Sequence, residues 1–252
     1  RDSAAAFGMS RADLFGREIP ILGIAGDQQA ALVGHGALQA GDAKITYGTG
    51  AFLVANVGPS PVASTRRLLG TLGYQANGVT AYALEGSIFS AGSAIQWLRD
   101  GVGLLDESRQ SEAMAQGLPD NGGVYLVPGF TGLGAPWWEP EARGAVFGLT
   151  RATGPAELAR AALESVGFQT RDLTDAMRRD WPSLGESVLR VDGGMTASDA
   201  AMQALADILG APVDRPADPE TTVRGAAWLA AFRAGLTDGP EAAQGNWQRE
   251  AR

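Results

Sequence analysis

The amino-acid sequence predicts an α/β protein, a mixed sheet flanked by helices. Three observations predict it. β-rich runs around glycine turns gather between residues 44 and 86 as an antiparallel meander. From residue 124 onward short apolar runs alternate with stretches of helical periodicity, the order that gives parallel strand pairs with helices on the sheet faces. The 35 glycines are too many for a helical bundle, and they cluster beside apolar runs, where backbone can approach a ligand.

In chain order, residues 1–17 read as loop and form no self-sufficient unit. Ile21, Leu22 and Ile24 favour a buried extended segment, Gly26 allows a tight turn, and Asp27 stands where a helix begins. That helix is short and apolar and closes at Gly34 and Gly36. Residues 44–57 are two strand-like runs flanking Gly48-Thr49-Gly50, and residues 80–86 add a third strand across a loop-rich link at 59–78. Small and apolar residues recur at helical spacing over 89–98, and a second helix is expected over 106–116. Residues 124–128 read as a buried strand stopped by Pro128, and the Gly-, Pro- and Trp-rich loop at 130–140 is structured by packing, with Trp137 and Trp138 as packing residues. A short extended piece at 144–149 precedes the long helix that Pro155 opens, which runs to about Arg179 with an apolar stripe through Leu158, Ala162 and Val166. Strand and turn at 189–194, helix at 200–209, a brief strand at 212–214 and a last helix at 222–232 follow. The tail from 238 to 252 is polar and shows no packing face. The chain reads as one entered in the middle, with a main domain from residue 37 and a piece of another before it.

A chain of 252 residues, 45% hydrophobic and 19% charged, can build a substantial core. It has no cysteine, which excludes disulfides, thiolate metal sites and a cysteine nucleophile and suits the cytoplasm. A net charge of −8 argues against a surface that binds nucleic acid. No apolar run reaches the length of a membrane span.

Asp27 can be a helix cap, or a catalytic base or metal-facing carboxylate at a strand end. Two glycine turns, 47–50 and 192–196, each offer backbone N–H groups and a hydroxyl, the donors an anion or nucleotide requires. No P-loop or dinucleotide fingerprint is present, so a nucleotide would bind in another architecture. Phe52 reads equally as sheet core and Gln96 as ordinary helix packing. His35, the sole histidine, sits beside glycines and reads as a surface turn.

Taken together, residues 23–32, 46–50, 93–99 and 130–136 resemble the C-terminal half of the glycerol kinases. Residues 144–164 are similar to the second signature of the wider FGGY carbohydrate kinase family, and 189–203 to its adenosine-binding stretch. The resemblance implies the C-terminal domain of the ribonuclease H-like sugar kinase, actin and heat-shock ATPase fold. It implies ATP and Mg2+ as cofactors, glycerol as substrate, transfer of the γ-phosphoryl group to give glycerol 3-phosphate, and a homo-oligomer for the full-length parent. Residues 1–36 are then a remnant of the N-terminal substrate domain, and 37–252 a nucleotide-binding domain shortened at its end. Asp27 matches the family's catalytic carboxylate, which lies near the magnesium. Gln28 and Phe52 match residues at the polyol. Thr49, Gly92, Gln96 and Gly194 match residues along the nucleotide. Ser198 stands where the family commonly has an asparagine, with a hydroxyl that can replace the amide contact in part. The alternatives are a kinase for another sugar, such as a pentulose, and a non-catalytic nucleotide-binding module. Without the substrate domain, the chain by itself is expected not to turn over glycerol.

Glu18 stands where glycerol kinases inhibited by fructose 1,6-bisphosphate have an arginine. A carboxylate there repels a phosphate. Activity of the full-length protein is therefore expected to hold as fructose 1,6-bisphosphate is raised, and strong inhibition in that titration would contradict the reading.

Overall fold

The computed structural model describes residues 1–184, 188–239 and 247–252. Two short antiparallel strands, β1 (Gly8–Met9) and β2 (Pro20–Ile21), flank the one-turn helix α1 (Ala12–Phe15), and α2 (Asp27–Gly34) follows. The meander is β3 (Ala43–Tyr47), β4 (Ala51–Gly58), β5 (Leu69–Ala76) and β6 (Val79–Ile88). Next come α3 (Gly92–Gln96), continued by a wider π turn at Trp97–Gly101, then α4 (Gln110–Gln116) and a small hairpin of β7 (Tyr125–Val127) and β8 (Ala145–Phe147). The alternating part is α5 (Pro155–Asp180), β9 (Leu189–Asp192), α6 (Asp199–Leu209), β10 (Val213–Pro216), α7 (Thr221–Arg233) and β11 (Arg249–Ala251). No helix among the described residues is long and apolar enough to cross a membrane.

The central sheet has the order β11-β10-β9-β3-β4-β6-β5. β3, β9 and β10 run parallel to one another, while β4, β5 and β6 run antiparallel to their neighbours, so β3 is the strand where the two patterns meet. Strand alternation sorts β3 sharply. Ile45 and Tyr47 face the main core with Leu53, Leu84 and Val191, under Val166, Leu173 and Met177 of α5 and Leu205 of α6. Lys44 and Thr46 face the opposite side, where Leu32 of α2 packs with Val54 and Ala83. α5 earns its length through its ends and its stripe. Gly154 N–H donates to Glu157 Oε2 at 2.8 Å, Pro155 occupies the first turn, and the apolar face is continuous from Ala159 to Met177.

Several expectations give way. Ile21 and Ile24 are 42% and 52% exposed, so the segment before α2 is no buried strand. The link at 59–78 contains β5, whose glycines weaken its own strand signal. Pairing to β6 supplies the ladder, with an irregular step between Leu72 and Tyr74 where Gly73 abuts Ala81 and Leu32. α4 begins at Gln110, four residues later than expected, because 106–109 form turns held by the Gln110 side chain, whose Oε1 accepts the Asp106 N–H at 2.7 Å. Trp138 does pack, donating its indole N–H to Arg67 O at 2.6 Å, but Trp137 is 53% exposed. In the polar tail β11 pairs with β10, helped by Arg252 Nε donating to Asp214 at 2.7 Å, and residues 240–246 lie outside the described residues.

α2 and α7 cross backbone to backbone. A Cβ at Gly34 would stand 1.8 Å from Thr221 O, and one at Gly225 1.8 Å from Ala30 O. Helix propensity alone makes Gly225→Ala stabilising by about 1 kcal/mol. The contact reverses the sign. Forced overpacking costs about 1–3 kcal/mol, so chemical denaturation of Gly225→Ala is expected to show a loss of stability, and a gain would refute the close crossing.

Candidate active site

A cavity of about 450 Å³ opens where β3 ends, and Thr49, Gly92, Gln96, Gly194 and Ser198 all line it. The backbone builds it by close approach. The N–H groups of Ala91 and Ser93 donate to Thr49 O at 2.9 and 3.1 Å, and that of Gly92 donates to Gly48 O at 3.0 Å. A Cβ on Gly92 would lie 2.6 Å from Gly48 O, and one on Gly193, whose φ is 90°, would lie 2.3 Å from Tyr47 O. Glycine is required at both places. Gly194 differs, since a Cβ there would meet nothing within 4 Å. No protein packing demands its bareness, which leaves its face of the cavity open.

Ser198 caps α6, its Oγ accepting the Ala201 N–H at 3.3 Å, so its oxygen is partly engaged while its proton is free to donate elsewhere. Glu112 Oε1 accepts the neighbouring Ala200 N–H at 3.2 Å. Sequence reasoning missed Ser108, Arg109, Ser111 and Glu112, which also line the cavity beside Met195 of the 192–196 turn. Ser108 and Arg109 lie in the turn before α4 and Ser111 and Glu112 at its start, where no motif marks them.

The remaining three expected residues gather on the other face of the same strand. Asp27 is exposed at the first position of α2. Its Oδ1 accepts the Gln28 N–H at 2.8 Å, and its Oδ2 accepts from Gln28 Nε2 at 3.3 Å. The cap expectation fails, because Gly26 is the N-cap of α2 and Asp27 stands one residue inside the helix with no side-chain cap bond, leaving lone pairs on both of its oxygens. Gln28 Oε1 accepts from the buried Lys44 Nζ, which also donates to Thr46 Oγ1 at 3.0 Å. Phe52 lies directly across the ladder from Thr46 and is 37% exposed, so it is a partly open wall and not sheet core. Burial pushes the Lys44 ammonium down to about 8, against the attraction of Asp192, Glu85 and Asp27. Burial likewise raises the Glu85 carboxyl, opposed by Lys44. Lys44 escaped the sequence reading, and Thr46 and Asp192 entered it only as members of the 46–50 and 192–196 stretches, because a strand's polar face ordinarily meets water. Here α2 and α7 cover it.

His35 corrects an expectation. It is fully buried, with Nε2 3.2 Å from Asp192 Oδ2. Of the glycines around it, Gly34 serves the α2–α7 crossing and Gly36, with φ 62°, makes a turn that is buried and not at the surface. Asp192 also accepts from Thr221 Oγ1. Burial pushes the Asp192 carboxyl up, but the adjacent His35 imidazole and the Thr221 and Thr46 hydroxyls outweigh it and hold the group below its ordinary value. Burial also pushes the His35 imidazole below 6.5, more than Asp192 can restore.

The model of the C-terminal domain of the FGGY family of carbohydrate kinases matches residues 43–234. The chain belongs to this family. The glycerol kinase of Cereibacter sphaeroides is 60% identical over all 252 residues, which cover 51% of that protein. The solved glycerol kinase of Plasmodium falciparum, crystallised with ADP, superposes with a TM-score of 0.87 at 35% identity, covering 97% of this chain and 49% of that one. A xylulose kinase of Rhodospirillum rubrum superposes at 0.81 with 25% identity, covering 99% of this chain and 51% of that one. The chain spans about half the length of the curated relatives it matches. The expected sugar kinase, actin and heat-shock ATPase fold is the fold observed.

In this FGGY domain the sole histidine reports on the buried pair. A base held neutral in the folded state and free to titrate near 6.5 when unfolded contributes stability above that pH, lost progressively as pH falls below it. The denaturation midpoint is therefore expected to drop between pH 7 and about 5, and to lose most of that slope in His35→Asn. A flat wild-type profile over this window would show that His35 is not held neutral.

Proposed function

We propose that this sequence is the C-terminal half of an ATP-dependent glycerol kinase. The observation that carries the proposal is convergence. Five residues expected along a nucleotide line one cavity at the end of β3, and Asp27, Gln28 and Phe52 gather on that strand's other face. Its 60% identity to a glycerol kinase, against 25% to a xylulose kinase, favours glycerol over a pentulose.

In this reading the glycine turns and Thr49 cradle the phosphates with backbone and hydroxyl donors. Gln96 and Ser198 face the nucleoside side, and Phe52 packs against the carbon skeleton of the polyol. Gln28 hydrogen-bonds a hydroxyl. Asp27 accepts the proton of the attacking hydroxyl as it closes on the γ-phosphorus, and positioning supplies most of the acceleration. Magnesium is commonly held by one or two carboxylates, with phosphate and water completing its shell. The exposed Asp27, with lone pairs left after its two hydrogen bonds, fits that role. When bound, the ion neutralises charge on the transferring phosphoryl group. Residues 1–36 belong with the substrate domain and 37–252 form the nucleotide domain. The full-length protein acts in the cytoplasm as a homo-oligomer.

Loss of a general base costs about 10²–10⁴-fold in rate. The full-length Asp27→Asn protein is expected to lose at least about a hundredfold in glycerol phosphorylation while retaining ADP affinity by calorimetry. Turnover near wild type would remove Asp27 from the chemistry.

A further inference from the structure

Lys44 is an unusual residue for its place. It is the second residue of β3, fully buried beneath α2, on the sheet face that also carries Thr46 and, from β4, Val54. A buried ammonium is ordinarily neutralised by a carboxylate at ion-pair distance. Among the described ion pairs Lys44 has none, although Asp27 on α2, Glu85 on β6 and Asp192 on β9 all attract it. Arg190, beside Asp192 on β9, turns away, with its Nη1 bonded to His35 O at 2.9 Å and its Nη2 3.8 Å from Asp42. Two of the three Lys44 protons go to neutral acceptors, Gln28 Oε1 and Thr46 Oγ1.

That choice has a directional consequence. An ammonium only donates, so the end of the Gln28 amide that meets it must be the oxygen. The NH2 end then faces Asp27 Oδ2, 3.3 Å away, and an ionised carboxylate only accepts. The amide is polarised at both ends by groups that forbid the flipped orientation. Thr46 completes the restraint from below. Its hydroxyl accepts from Lys44 at 3.0 Å, and it lies beside Asp192 in the ladder, whose strand leads into the Gly193–Gly194 turn at the cavity.

We propose that Lys44 is a positioning residue of the transfer site, which locks the Gln28 amide in the single orientation that donates to the Asp27 carboxylate. The inference rests on the kinase function proposed above. Lys44 touches no reacting atom. It acts through Gln28, and so it aims the base and the polyol contact together, leaving the nucleotide cavity untouched.

The test is kinetic, in the full-length protein, with Lys44→Met, Gln28→Ala and the double variant. Methionine keeps the unbranched stem and removes a buried charge, so folding is expected to be retained. Lys44→Met is expected to raise KM for glycerol and to lower kcat at least tenfold, with KM for ATP unchanged. The double variant is expected to be no worse than Gln28→Ala alone, because both changes break one chain of contacts. Losses that multiply in the double variant, or a Lys44→Met enzyme within twofold of an active wild type, would overturn the proposal. A merely structural role predicts a lowered thermal midpoint and a shifted KM for ATP, and that pattern overturns it as well. Gln28→Glu gives a second route should Lys44→Met fail to fold. A carboxylate at 28 can still meet Lys44 but cannot donate to ionised Asp27, so turnover is expected to fall to the Gln28→Ala level, and wild-type turnover would refute the lock. A wild type that does not phosphorylate glycerol would instead refute the kinase reading beneath it.

Discussion

Everything at the site depends on how closely backbone approaches backbone at the end of β3. Side chains at Gly92 or Gly193 would collide with carbonyl oxygens of residues 47–48, and one at Gly50 would stand 2.4 Å from Ile88 O. Each contact is a hard-sphere limit, which no rotamer change relieves. The hairpin turn, the start of α3 and the turn after β9 therefore meet in one place, and the cavity is the space their meeting leaves. Gly34 and Gly225 do the same for α2 and α7, bringing the helix that carries Asp27 down onto the sheet.

From that constraint the division of labour on β3 follows. Period-2 alternation sends Ile45 and Tyr47 into the main core and Lys44 and Thr46 to the opposite face. Tyr47 is anchored by a 2.9 Å hydrogen bond to Thr170 of α5, so the strand cannot slip by one residue without exchanging a core ring for an ammonium. The turn beyond it lines the cavity. A single strand thus sets the register of both halves of the site, and beside it the buried Asp192, held against His35 and Thr221, leads into the turn after β9.

Much of this was legible in the residues. The antiparallel meander, the strand and helix alternation and the long α5 followed from periodicity, and the five cavity residues expected from the resemblance did come together. What was missed has physical causes. β5 was hidden because glycine-rich edge sequence has little strand propensity of its own and is held by β6. β11 was hidden because three residues of polar tail acquire a partner only in space. His35 and Lys44 were misread or passed over because a lone histidine between glycines, or a lysine alternating with apolar residues, looks solvated until a helix is laid across it.

Sequence by itself determined the local elements, the glycine turns and the chemical types available at the site, since propensity, alternation and motif order are properties of neighbours along the chain. Tertiary structure decided which of those groups share an environment. It turned a polar strand face into a sealed network, put four residues of α4 and its approach on the wall of the cavity, and gave Asp27 a partner whose orientation a buried lysine dictates. Those outcomes depend on two helices crossing at backbone contact over the sheet, and that distance is set by residues nearly two hundred positions apart.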